Sequence, residues 1–331
     1  MIGKANGIRI GITGLGVNVP ERVVTNDDLA KLVETSDEWI VERTGIHERR
    51  FASDDEALTD IALPAARDAL AQSGADPASV DLVLCATVTP DMMFPTSSAL
   101  LADELEMPNA AAYDLLAGCT GFVYAIAQAY GLLASGLSRR ALVVGGDVLS
   151  KILDKHDRST LVLFGDGAGA VIMEPVDHGG FLGFELGADG GGGESLWLPG
   201  SGSRKFDDPE SYVKMNGREV FKFATRVLVS SAQKLLDEVG MTVDDVDVYV
   251  PHQANIRIID HAARKLGFPP EKVVINVQRY GNTSSGSIPL ALADAAADGR
   301  LKPGAKVLMT GMGAGLTWGS GLIEWTEEMA A

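Results

Sequence analysis

Short apolar and β-branched runs alternate with longer, alanine-rich amphipathic stretches along this chain. The runs read DLVLCATV (81–88), RALVVGG (140–146), DVDVYV (245–250) and KVLMTGMG (306–313). Near-continuous apolar runs of this length predict strands covered on both faces. Between them, DIALPAARDALAQSG (60–74) and FATRVLVSSAQKLLDEVG (223–240) predict helices with one apolar face. Strands alternating with helices predict an α/β fold with largely buried sheets.

The pattern also repeats. DLVLCATVTP (81–90) resembles DVYVPHQAN (247–255), and RALVVGG resembles AKVLMTG (305–311), with Gly145 matching Gly311. Both matches have an offset of 166 residues (247 against 81, 311 against 145). Chance similarity between apolar strands is the plain alternative, and the agreement of offsets weighs against it. In each half a strand is followed by a glycine-polar turn and a small-residue helix. The turn reads AGCTGF (117–122) in one half and YGNTSSG (280–286) in the other. This alignment places Cys119 and Asn282 at equivalent positions, each just inside a helix N-terminus. A twofold repeat of half the chain predicts two similar domains packed together, 1–174 and 175–331, with the seam near EPVDHGG (174–180). The Gly/Ser-rich stretch at 187–212 is too long for a simple connector and is expected to be a functional or mobile loop.

Composition narrows the class. The 331 residues are 46 % hydrophobic and 22 % charged, as in a soluble globular protein with room for a large core. No apolar run reaches the roughly 20 residues of a membrane span, and the first ten residues show no signal-peptide core. Two cysteines, Cys85 and Cys119, make no disulfide framework. A cytoplasmic location is therefore expected. The net charge of −17 repels phosphate and argues against nonspecific binding to nucleic acid or an anionic membrane.

The candidate chemistry starts at Cys119. A helix N-terminus offers free N–H groups and a positive dipole end, which stabilise a thiolate and can later hold an oxyanion. Gly118 and Gly121 allow close approach of backbone or substrate. A buried free cysteine is also an ordinary small hydrophobe. Cys119 therefore needs companions, whereas Cys85, inside an apolar strand, is read as inert. His252 follows a buried-looking strand, where open α/β sheets place their sites. Asn282 precedes a small-residue helix. Each residue alone fits a structural role as well. The repeat brings all three to related termini, where they can converge. The other histidines, His47, His156, His178 and His261, have no HxH or HExxH spacing, so no metal is expected. GITGLG (11–16) and FGDGAGAVIM (164–173) fit neither GxGxxG nor a P-loop. Tight hairpins and close sheet packing explain them better.

AGCTGF, PHQAN and YGNTS together resemble the Cys-His-Asn motifs of β-ketoacyl-[acyl carrier protein] synthase III, a condensing enzyme of the thiolase superfamily. TSDEWIVERTGI (35–46), DRSTLVLFGDGAGA (157–170), MNGREVFKF (215–223) and GAGLTWGSGL (313–322) extend the resemblance from about residue 10 to the C-terminus. It implies a thiolase-like fold, an αβαβα body of two βα repeats, in a homodimer. It implies that Cys119 takes an acyl group from acyl-CoA, with acetyl-CoA the expected primer. Malonyl-acyl carrier protein then loses CO2 and condenses to a 3-oxoacyl-acyl carrier protein, the first elongation intermediate of type II fatty acid synthesis. His252 and Asn282 would stabilise the enolate. The backbone of Cys119 and Ala314 would form a second oxyanion hole, with alanine where many relatives carry glycine. No cofactor is implied, because CoA thioesters are substrates.

The resemblance assigns the CoA adenine to Trp39 and Arg158, with further CoA or pantetheine contacts at Thr35, Arg43 and Asn255. Phe94 would stand at the far end of the acyl pocket. The carrier protein is acidic, as is this chain, so local basic charge must receive it. Arg218, Lys222 and Arg226 fall on one helical stripe. Arg257, Arg264 and Lys265 cluster after His252. The two sets are expected to form one docking patch.

Rival readings are weaker. Degradative thiolases use a late second cysteine, and no cysteine follows Cys119. Elongating synthases use two histidines where this chain has His252 and Asn282. Plant-type polyketide synthases share Cys-His-Asn in longer chains. A specialised relative in secondary metabolism is the nearest alternative. A papain-like thioester hydrolase carries its cysteine near the mature N-terminus and needs no repeat. A noncatalytic binding protein needs no intact Cys-His-Asn set.

Overall fold

The apolar runs form two sheets that share one strand order. Strands β1 (Ile10–Asn18), β2 (Leu82–Ala86), β3 (Ala111–Leu115), β4 (Ala141–Asp147) and β5 (Gly167–Pro175) lie in the order β1-β5-β4-β2-β3. Strands β6 (Gly180–Ala188), β7 (Val248–Pro251), β8 (Lys306–Gly313) and β9 (Thr317–Glu324) lie in the order β6-β9-β8-β7. Matching β6 to β1, β7 to β2, β8 to β4 and β9 to β5 gives the same sequence of neighbours. The senses also agree. β2 runs parallel to β4, as β7 does to β8, and β5 and β9 run antiparallel to their neighbours. A parallel bridge from Tyr249 to Val273 stands where β3 pairs with β2 in the first sheet. This computed structural model describes residues 7–200, 202–205 and 211–326.

Six of the helices among the described residues matter for the layers and the site: α1 (Asp37–Thr44), α2 (Leu58–Ser73), α3 (Gly121–Ala134), α4 (Gly217–Val239), α5 (Ile256–Leu266) and α6 (Ser287–Ala297). α2 covers the outer face of the first sheet, and α4 that of the second. α3 touches β4 and β2 on one side and β9 on the other, and α6 lies between β5 and β7. The order is αβαβα, the layering of the thiolase-like fold. The central helices follow from their composition. α3 buries Phe122, Val123, Ala125, Ile126 and Ala129 and carries no charged residue, so it can be covered on both sides. α4 keeps charges on its outer face and buries Val220, Phe223, Val227 and Leu235.

The early glycine run serves packing. A methyl on Gly14 would meet the carbonyl oxygen of Ala69 at 2.0 Å, and one on Gly16 that of Ala65 at 2.1 Å. Glycine there lets α2 lie directly on β1. Within the 187–212 stretch, residues 201 and 206–210 lie outside the described residues. Leu196–Trp197 pairs with Lys214–Met215, and Leu196 to Leu198 wall a cavity beside Cys119. Among the described residues, no helix is long and apolar enough to cross a membrane.

Candidate active site

Cys119 occupies the middle of a 3-10 turn, Gly118–Thr120, that runs directly into α3. His252 follows the last residue of β7, with its N–H bonded to the carbonyl of Thr310 on β8. Asn282 is held by its own backbone. Its N–H donates to Leu163 O at 2.9 Å, and its carbonyl accepts from Gly165 N at 3.0 Å. All three line one narrow channel of about 150 Å³ with Asn255 and Phe221. Cys119 also lines a chamber of about 790 Å³ with Val88, Met92, Leu116, Ile152 and Leu198. The sulfur-bearing residue therefore stands where a narrow passage, which also carries His252, Asn255 and Asn282, meets a wide, mostly apolar space.

The expected equivalence of Cys119 and Asn282 is corrected by the turns. The second-half counterpart of Gly118–Thr120 is the 3-10 turn Ser284–Gly286, which runs into α6. At the 166-residue offset Cys119 matches Ser285, and Asn282 stands three residues earlier. The two turns touch, with Ser285 Oγ donating to Gly118 O at 3.3 Å. Asn282 thus stands on the N-terminal side of that turn, with its Oδ1 accepting from Ser284 N at 2.9 Å. That bond orients the amide and leaves Nδ2 as its donor end.

Electrostatics set the resting protonation. Burial pushes the Cys119 thiol up to about 12, against the opposing pull of the Ser284 hydroxyl and a backbone N–H, and the carboxyl of Asp147 adds to the rise. A helix N-terminus alone favours a thiolate. In the resting site desolvation outweighs it, because the cysteine is only 7 % exposed. Burial also lowers His252 to about 3, so its imidazole is neutral. His252 Nδ1 lies 2.5 Å from Ser287 Oγ, and the buried Nε2 has no hydrogen-bond partner among the described residues.

The end of β8 closes against the cysteine turn. A methyl on Gly313 would lie 2.5 Å from Cys119 N, and one on Gly118 would lie 2.8 Å from Ala314 N. Only glycine admits this approach, which brings the amides of Cys119 and Ala314 side by side. Ala314 does not adopt a positive φ, so alanine suits its backbone. Thr317 Oγ1 fastens the two segments, donating to Ala117 O at 2.9 Å and lying 2.9 Å from Thr120 Oγ1.

The predicted CoA contacts cluster around Trp39 on α1. The guanidinium carbons of Arg43 and Arg158 each lie 4.5 Å from its ring centroid. Asn255 caps α5 through Arg257 N and donates from Nδ2 to Arg43 O at 3.0 Å. The Thr35 hydroxyl is buried without a partner among the described residues. Because Asn255 also lines the channel, the Trp39 surface leads toward Cys119. Arg218, Lys222, Arg226, Arg257, Arg264 and Lys265 are all exposed on α4 and α5, which pack together. Phe94 is 83 % exposed and does not line the chamber of its own chain, whereas its neighbours Met92 and Met93 do.

Sequence reasoning missed four polar groups at this site, three of them buried and Thr317 partly so. Asp147, at the end of β4, accepts from Val88 N, Thr87 Oγ1, Thr89 Oγ1 and Ser285. Ser284, Ser287 and Thr317 are the others. The dense run of small hydroxyls after Asn282 was the available signal.

Comparison with known proteins gives two family matches. The C-terminal signature of 3-oxoacyl-[acyl-carrier-protein] synthase III matches residues 236–325, and a second signature of that synthase matches residues 113–190. The β-ketoacyl-[acyl-carrier-protein] synthase III of Symbiobacterium thermophilum is 51 % identical, over 96 % of this chain and 98 % of its own. That of Desulfitobacterium hafniense is 47 % identical, over 97 % and 99 %. The crystal structure of the Thermus thermophilus synthase III superposes with a TM-score of 0.90 at 48 % identity, covering 95 % of this chain and 99 % of that one.

Proposed function

Because this chain belongs to the β-ketoacyl-[acyl-carrier-protein] synthase III family, an acyltransferase family whose condensation initiates type II fatty acid synthesis, we propose residue roles for that reaction on the site described above. Cys119 is the acyl acceptor. Its sulfur attacks the acyl-CoA carbonyl, the carbon–sulfur bond to CoA breaks, and the thiol proton ends on CoA. Malonyl-acyl carrier protein then enters the same channel. Its carboxylate leaves as CO2, and the bonding pair becomes an enolate on the thioester. The Nε2 of His252 and Nδ2 of Asn282 donate to that enolate oxygen. The carbanion attacks the acyl-Cys119 carbonyl, the amides of Cys119 and Ala314 hold the tetrahedral oxyanion, and collapse breaks the carbon–sulfur bond, freeing the 3-oxoacyl product and the Cys119 thiolate, which takes up one proton from solvent to restore the resting thiol.

The observation that carries these roles is the position of Cys119 at the junction of channel and chamber, with His252 and Asn282 on the channel wall. The channel suits a phosphopantetheine arm, and the chamber suits an acyl chain. Trp39 with Arg43 and Arg158 supplies a flat cationic seat for adenine, and Thr35 and Asn255 supply polar contacts below it. The basic face of α4 and α5 at the channel mouth receives the acidic carrier. The two halves divide at 174/175, a boundary supported by the matching strand orders. A cytoplasmic location fits an acidic chain whose two cysteines are free.

Intact mass after mixing with a panel of acyl-CoAs tests the first role. One acyl adduct is expected on the native chain and none on Cys119→Ala. No adduct with any acyl-CoA would remove Cys119 from the mechanism. His252→Ala and Asn282→Ala should still load an acyl group but lose roughly 10²- to 10³-fold in condensation, the usual cost of an oxyanion donor.

A further inference from the structure

We propose that Ser287 is a positioning residue that holds His252 in the tautomer carrying its proton on Nε2. Ser287 is the first residue of α6 and is 1 % exposed. Its Oγ lies 2.5 Å from His252 Nδ1, and it accepts a longer bond from Gln253 N at 3.5 Å. A neutral imidazole has one donor nitrogen and one acceptor nitrogen. If Nδ1 carried the proton, Ser287 Oγ would accept from two N–H groups. Its own hydrogen would then be buried with no acceptor among the bonds found at this site, and Nε2 would present a bare lone pair to the channel. If Nε2 carries the proton, the serine O–H donates to Nδ1 and the Gln253 N–H is also served. One donor, Nε2–H, is then left for substrate. The second arrangement leaves fewer buried groups unsatisfied and is favoured for that reason.

Other polar groups reinforce the geometry without competing for Nδ1. Gln253 is occupied elsewhere, donating from Nε2 to Pro251 O and Val274 O while its Oε1 accepts from Asn276 N and Val277 N. Ser284 and Ser285 engage Cys119, Asp147 and Gly118. The hydroxyl run after Asn282 therefore divides its work. Two serines serve the nucleophile's turn, and the third serves the histidine. In this tautomer Nε2 can donate to the malonyl thioester oxygen but cannot accept the Cys119 proton. The device favours decarboxylation over cysteine deprotonation.

This inference rests on the role given to His252 above, and the experiment separates the two. Nitrogen-15 histidine spectra of the whole enzyme, with His252→Gln to identify the signal, should show Nε2 protonated and Nδ1 bare. In Ser287→Ala the His252 signals should shift toward a mixture of tautomers. Decarboxylation of malonyl-acyl carrier protein should fall roughly 10- to 100-fold in kcat, the scale on which outer partners of metal-bound histidines act. KM and acyl loading of Cys119 should hold within about twofold, and Ser287→Thr should restore part of the rate. A protonated Nδ1 in the native enzyme would overturn the proposal. So would an unchanged decarboxylation rate in a folded Ser287→Ala, or an equal loss of loading and decarboxylation. If His252→Ala left decarboxylation intact, the role of His252 itself would fall, whatever Ser287 did.

Discussion

Cys119 and His252 show how burial decides protonation one residue at a time. Neither charged form gains enough from its neighbours to offset the loss of water, so the resting pair is a thiol and a neutral imidazole. The lowered His252 value has a consequence for stability. An unfolded histidine binds a proton below about pH 6.5, whereas the folded one resists until about 3. Its contribution to stability is complete above the unfolded value and is lost as pH falls toward the folded one. Asp166, raised by burial to about 6, and Asp147, also raised, act with the opposite sign. Their contribution is present in acid and is lost as pH rises through the folded value. A comparison with His252→Gln cancels those carboxyls. Between about pH 5.5 and 4, the native protein should lose about 1.4 kcal/mol per pH unit relative to the variant. Urea unfolding across that range measures it, and a pH-independent difference would show that His252 titrates normally in the fold.

At the scale of elements, α4 and α5 turn an acidic molecule into a local cationic surface. They share an apolar seam of Phe223, Ala224, Val227, Ile258 and Ala262, which sets their outward faces side by side. Arg257 lies 5.9 Å from the Phe221 ring, and Phe221 lines the channel, so the basic face reaches the channel mouth. Lys222→Glu combined with Arg257→Glu should raise KM for malonyl-acyl carrier protein about tenfold at low salt, and less at high salt. KM for the small substrate malonyl-CoA should barely move. An unchanged KM for the carrier substrate would dismiss the patch. These elements were legible because their signals are periodic: the strands as apolar runs, α4 as an amphipathic stripe, the repeat as two equal offsets. The register of Asn282 was not. Glycine-polar turns align by eye with a slip of three residues, whereas the 166-residue offset pairs Cys119 with Ser285, and the bond from Ser285 Oγ to Gly118 O confirms that register. Asp147 was hidden for a similar reason. Its partners Thr87, Val88, Thr89 and Ser285 come from two distant parts of the chain, and no local spacing announces them.

The whole molecule leaves one face unfinished. The chamber beside Cys119 is apolar and wide, yet its rim carries Met93 at 60 % exposure and Leu116 at 77 %, with Phe94 beyond them at 83 %. An acyl chain seated there would keep part of its surface in water, and each exposed CH2 forgoes about 0.8 kcal/mol of transfer free energy. Clustered large apolar side chains on an otherwise charged surface mark a contact with another molecule. A second copy of this chain is the economical cover, because it supplies its own Phe94 while hiding the first. In such a pair Phe94 would reach the partner's chamber, although it does not line that of its own chain. Sedimentation should therefore find a dimer at micromolar concentration. Leu116→Asp should dissociate it while leaving each monomer folded, since that side chain is exposed. Phe94→Ala should keep the dimer and let Cys119 load longer acyl groups than the native enzyme accepts. A fully active native monomer would refute the shared pocket. A dimer whose primer range ignores position 94 would keep the interface but move the pocket wall elsewhere.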